Sequence, residues 1–129
     1  MAKPEAKASK ELRDLLEKRG AYTQKLHGNL YQIGVPDILV AYDTEISLVE
    51  TKILKERSKG PYTPEQIVGL LRGPQFAVFS LIARQKCPIY IATRCYAYED
   101  TWVLVGWGFK VSEELEILTL EKMVDHLLS

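Results

Sequence analysis

Two carboxylates and one ammonium stand at a spacing that a β-hairpin would turn into proximity. Asp37 closes the stretch Gly34-Val35-Pro36-Asp37, and twelve residues later comes Glu50-Thr51-Lys52. Between them lie two runs of β-forming residues, Ile38 to Tyr42 and Glu45 to Leu54, separated by the polar pair Asp43-Thr44. A hairpin centred on that pair matches residues whose numbers add to 87, and Asp37 and Glu50 do. Their Cβ atoms would then lie about 5 Å apart. Lys52, two residues beyond Glu50, emerges on the same face of the strand.

Facing carboxylates repel, and partial burial sharpens the repulsion. A divalent ion is the natural compensation. Mg²⁺ suits a site of two carboxylates completed by water and substrate phosphate, and Mn²⁺ is an expected substitute. Such an ion polarises a phosphodiester and activates a water, and an adjacent ammonium stabilises the charge that develops. Taken singly, Asp37 reads as a strand start and Lys52 as a polar residue on a wet sheet face. Taken together they read differently, because Glu50 interrupts the run from Ile46 to Val49 directly opposite Pro36-Asp37. Pro-Asp…Glu-x-Lys is by itself a pattern of low specificity.

The elements that must carry this hairpin follow from capping and periodicity. A first helix runs from Pro4 or Ser9 to Arg19, with Leu12, Leu15 and Leu16 as its apolar stripe and Gly20 as its stop. The first eight residues are rich in Ala and Lys and are expected to form a loose tail. A strand is expected from Ala21 to Leu26, a turn at His27-Gly28-Asn29, and a basic loop from Lys55 to Tyr62. Thr63-Pro64 opens a helical stretch reaching Gln85, with a break at Gly73-Pro74. Strands at Pro88 to Arg94 and Thr101 to Trp107, then a helix from Glu113 or Thr119 to Leu128, complete the order α-β-β-β-α-β-β-α. The expectation is one α/β (α+β) domain over residues 1–129.

Composition is that of an ordinary globular chain, at 47% hydrophobic and 26% charged residues. The longest apolar run, Phe76 to Ala83, is too short to span a bilayer, and the N-terminus lacks the apolar stretch of a signal peptide. A cytoplasmic location is expected. Cys87 and Cys95 have no metal-ligand spacing and read as two reduced thiols; His27 and His126 belong to no metal motif. Net charge is zero but unevenly spread: residues 1–95 carry 15 Lys and Arg against 10 Asp and Glu, and residues 96–129 carry 2 against 7. That asymmetry fits a basic face for nucleic acid and fits an ordinary solvated surface as well. Lys55, Arg57 and Lys59 follow the strand bearing Lys52, where they would neutralise phosphates without reading sequence, or simply be solvated.

The whole pattern resembles the PD-(D/E)xK nucleases, and within them the archaeal-type Holliday junction resolvases. Glu11 to Gly20 is similar to that family's first helix, Lys25 falls where the family tends to place an Arg, Pro36-Asp37 and Glu50-Thr51-Lys52 match its signature motifs, and Cys87 to Ala92 and Thr101 to Val105 resemble its late strands. The resemblance implies a restriction-endonuclease-like three-layer fold with a central mixed sheet of about five strands. It also implies Asp37, Glu50 and Lys52 as catalytic residues, Asp37 and Glu50 on Mg²⁺, and Lys25 on DNA. The implied protein is a homodimer that cuts four-way DNA junctions. The chain departs from the family at Ser9, where the first helix should carry a metal-binding Glu. Glu5 lies one turn earlier on the same face, and Glu11 is about 200° around the helix.

A second resemblance is to virus-type repair nucleases of the same class, in which a Gln after Glu-x-Lys lines the active site. Gln66 and Gln75 are the candidates. Gln75 has the better spacing to the next strand, although an exposed helix position is the plainer reading of either. Restriction-type cleavage of linear DNA, and a non-catalytic DNA-binding module, are the competing expectations.

Overall fold

A computed structural model describes residues 4–26, 34–55, 61–96, 99–111 and 113–129. Helix α1 (Pro4–Lys18) begins earlier than a loose tail would allow, because Ala8 and Ser9 already join Leu12 and Leu16 on its buried face. Gly20 ends it at φ +95°, a conformation that costs glycine nothing. Strand β1 (Tyr22–Lys25) leads to β2 (Ile38–Tyr42) and β3 (Glu45–Leu54). The expected turn at His27-Gly28-Asn29 lies outside the described residues.

Asp43 and Thr44 join β2 to β3 with φ of 48° and 69°, the doubly left-handed turn whose twist suits a two-residue hairpin. The resulting ladder pairs Ile38 with Val49 and Tyr42 with Glu45, which is the register expected from the sequence. The helical stretch after β3 is broken before Gly73-Pro74, as expected, into two helices. α2 (Pro64–Val68) is capped by the Thr63 hydroxyl, which accepts the Gln66 amide, and α3 (Gly73–Arg84) starts afresh at the Gly-Pro pair. Strands β4 (Ile89–Cys95) and β5 (Thr101–Gly106) and helix α4 (Leu120–Leu128) complete the chain.

The sheet order is β1-β2-β3-β4-β5, antiparallel except for the β3–β4 pair, which is parallel. A parallel pair requires a crossover, and α2 with α3 provides it. On one face α1 and α4 pack Leu12, Leu16 and Met123 against Ile38, Val49 and Trp102. On the other, α2 and α3 pack Ile67 and Phe79 against Leu54, Ile91 and Val103. The result is a three-layer mixed five-stranded sheet. Both cysteines are free thiols, and His126 is exposed on α4. Among the aromatic residues, Tyr62 and Phe79 are buried, whereas Tyr22 and Phe76 are mostly exposed. No helix among the described residues is long and apolar enough to cross a membrane.

Candidate active site

β3 outruns β2. The ladder between them stops at Ile38–Val49, so Glu50 to Leu54 have no partner in β2, although β4 pairs them on the opposite edge. Asp37 sits just before Ile38, at the end of the shorter strand, and an extension of the register faces it to Glu50. Its main-chain oxygen accepts the Leu26 amide at 2.7 Å, tying it to the end of β1. Its Oδ1 accepts the Thr51 amide at 3.0 Å.

Side chains alternate along β3, so Val49 enters the core under α1 while Glu50 and Lys52 turn toward α2 and α3. Lys52 Nζ lies 3.4 Å from Glu50 Oε2, in a pair whose side chains are only 11% and 4% exposed. Gln75, in the first turn of α3, donates from Nε2 to the same Oε2 at 3.0 Å. Its amide orientation follows from its other contact, since Oε1 accepts the Arg72 amide at 2.9 Å and so turns the NH₂ group to Glu50. Gln75 is therefore not the exposed helix residue of the plainer reading. Because it occupies the first turn, the positive end of α3 faces the carboxylates, which favours an anion there.

The electrostatics match this crowding. Burial, and after it the Glu50 charge, pushes the Asp37 carboxyl up to about 8, against the lowering effect of the Thr51 amide. The Glu50 carboxyl is also raised by burial, opposed by Lys52 and Gln75. Glu5 contributes to both upward shifts. The sequence leaves Glu5 and Glu11 as imperfect replacements for the missing first-helix acid, and the structure separates them. Glu5 is half-buried with its field reaching the pair; Glu11 is exposed and affects neither. Ser9 is buried on the core-facing side of α1, with no partner for its hydroxyl among the described residues. Among the described residues no three potential ligands are gathered tightly enough to enclose an ion.

The other expected residues ring the site at a distance. Lys25 is exposed on edge strand β1, opposite Ile38, and borders a groove of about 440 Å³ with Lys7, Lys10 and Arg13. Two of those cations are already matched, Lys10 by Asp14 and Arg13 by Glu17. Lys55 is exposed just beyond β3. Arg57 lies outside the described residues.

Neither protein-family models nor curated proteins give a match to this sequence. Among solved structures it is similar to Hjc, a Holliday junction resolvase of the archaeal hyperthermophile Archaeoglobus fulgidus. The TM-score is 0.55 at 16% identity, and the match covers 97% of this chain and 89% of that one. At that identity the likeness speaks for architecture, and it spans nearly every element described above. The chain therefore has the fold of an archaeal Holliday junction resolvase.

Proposed function

We propose that this chain is a Mg²⁺-dependent endonuclease that hydrolyses phosphodiesters in branched DNA, with four-way junctions as its substrate. The observation that carries the reading is the convergence of Asp37, Glu50, Lys52 and Gln75 at the overhang of one strand past another. A purely structural sheet edge has little use for a buried and a half-buried carboxyl that each resist ionisation. A nuclease fold uses such a pair to hold a cation.

The donor set fits Mg²⁺ or Mn²⁺. Glu50 Oε1 and Asp37 Oδ2 are bonded to no other described residue, and hard oxygen donors of this kind suit those ions. When bound, the ion would neutralise both carboxylates, polarise the scissile phosphate and make a water acidic enough to attack. The chain's own residues do the rest. The Thr51 amide aims the Asp37 carboxylate, and Gln75 holds Glu50 Oε2, leaving Oε1 as the oxygen for the ion. Lys52 offers its ammonium to the phosphate oxygen on which charge builds. Lys25 and Lys55, with Arg57 two residues further along the sequence, would take flanking phosphates.

A homodimer suits this reading, since paired cuts across a two-fold junction need two sites related by a two-fold axis. The Gln75–Glu50 contact favours a second reading, a repair-type nuclease of the same class acting on other DNA.

Cleavage of a synthetic four-way junction and of a matched linear duplex, with and without Mg²⁺, tests the proposal. Paired cuts near the branch, dependent on metal and lost in Asp37→Asn, are expected. Equal cutting of the linear duplex would favour the second reading. Tight binding with no cutting under any divalent ion would make the chain a non-catalytic DNA-binding module.

A further inference from the structure

Three described glycines have φ near +90°: Gly20, Gly34 and Gly108. At Gly20 and Gly108 an added Cβ would meet nothing within 4 Å, so the turn alone accounts for them. Gly34 is different. A Cβ there would fall 2.6 Å from the main-chain oxygen of Pro74 and 2.9 Å from Val78 Cγ2. The first clash is with backbone at the rigid Pro-containing start of α3, so no side-chain rotation relieves it.

The two sides of this contact lead directly to the two halves of the site. Gly34 stands three residues before Asp37. Pro74 stands one residue before Gln75, whose amide holds Glu50 at 3.0 Å. We infer that Gly34 is a positioning residue: its bare main chain docks on Pro74 and sets the spacing between the arm carrying Asp37 and the helix end carrying Gln75. The inference rests on the nuclease reading for its catalytic consequence, but the contact itself does not.

The geometry makes a local demand. Any side chain at position 34 must force the arm and the first turn of α3 apart by roughly half an ångström or more, and Gln75 moves with that turn. The Gln75–Glu50 bond would lengthen and Glu50 Oε2 would lose the donor that orients it. A misplacement of about 1 Å at a reacting centre costs about a hundredfold in rate, and this one approaches that size.

The experiment has two arms. In the metal-free protein, the side-chain NH₂ signal of Gln75 is followed by ¹⁵N–¹H NMR and assigned by its disappearance in Gln75→Ala. Gly34→Ala is expected to move it toward the position of a free amide. Gly20→Ala has the same φ strain without the contact, and should leave the signal in place. If Gly34→Ala does not fold, Val78→Leu crowds the same contact more gently and should give a smaller shift in the same direction. The second arm is junction cleavage with Mg²⁺. Gly34→Ala is expected to cut about a hundredfold more slowly. In a Gln75→Ala background it should cost little more, because both changes act through one bond.

An unmoved Gln75 signal in folded Gly34→Ala or Val78→Leu, or fully additive losses in the cleavage cycle, would overturn the inference. A wild-type protein that cuts no DNA while the Gln75 signal moves as expected would instead sink the nuclease reading and leave the clamp standing.

Discussion

Asp37 serves Thr51 as a stand-in for a missing strand: its carboxylate oxygen, 3.0 Å from the Thr51 amide, takes the hydrogen bond that β2 stops too early to provide. One side chain thus satisfies a sheet edge that lacks a strand partner and, in doing so, is held opposite Glu50. The strand overhang and the acidic pair are one structural feature, and the predictions below follow from it.

Asp37→Asn keeps an oxygen for the Thr51 amide while removing the charge. Junction cleavage is expected to fall on the order of a thousandfold, because both the ion and the attacking water lose their anchor. Binding to the junction should persist, since the charge removed is negative. Gel-shift and cleavage assays on the same preparation check this; equal loss of binding and cutting would point to misfolding instead.

The raised Asp37 carboxyl makes the metal-free protein pH-sensitive in a definite direction. The folded chain holds this proton up to about 8, whereas the unfolded chain releases it near 3.8. Between those values the native state binds more protons, so stability falls as pH rises from about 4 to about 8. With a chelator present, the melting temperature of wild type relative to Asp37→Asn should drop across that window. Mg²⁺ should remove the drop by stabilising the ionised form, with an effect that grows toward pH 8. A relative melting temperature that climbs with pH in chelator contradicts the assignment.

Lys52→Met preserves length and apolar stem while deleting the ammonium. Lys52 is the strongest influence opposing the upward shift of Glu50, so the Glu50 carboxyl should rise further. Cleavage is expected to fall about a hundredfold at saturating junction, with the apparent affinity for the junction little changed. A rise in KM at constant kcat would make Lys52 a binding residue only.

Glu5 and Glu11 can be told apart by ion affinity. Only Glu5 raises the Asp37 and Glu50 carboxyls, so only Glu5→Gln should alter calorimetric Mg²⁺ binding, by a few-fold or more. Glu11→Gln should bind as wild type does. Equal behaviour of the two variants would place the third acid of the site elsewhere or leave the site with two.

Much of this protein was legible in its residues because the determining forces are local. The turn at Asp43-Thr44, the alternation along β3 and the caps at Thr63 and Thr119 are decided within a few residues of where they act. The hairpin register, and with it the facing of Asp37 and Glu50 and the shared face of Lys52, followed from counting out from that turn. Other features were set by contacts between residues far apart in the chain, and no local periodicity encodes those. The burial of Ala8 and Ser9 decides between the two helix starts that the sequence offers, Pro4 and Ser9, in favour of Pro4. Gln75 reaches Glu50 across a separation of 25 residues because α3 restarts at Gly73-Pro74 and points its first turn at the sheet. Helix periodicity sets Glu5 rather than Glu11 on the Ser9 face, but only the burial of that face against the sheet brings its charge to bear on the pair. The sequence by itself determined the hairpin that carries the acidic pair, whose geometry is short-range; tertiary packing alone decided which helices would close over it, because that choice is made by burial across the whole sheet.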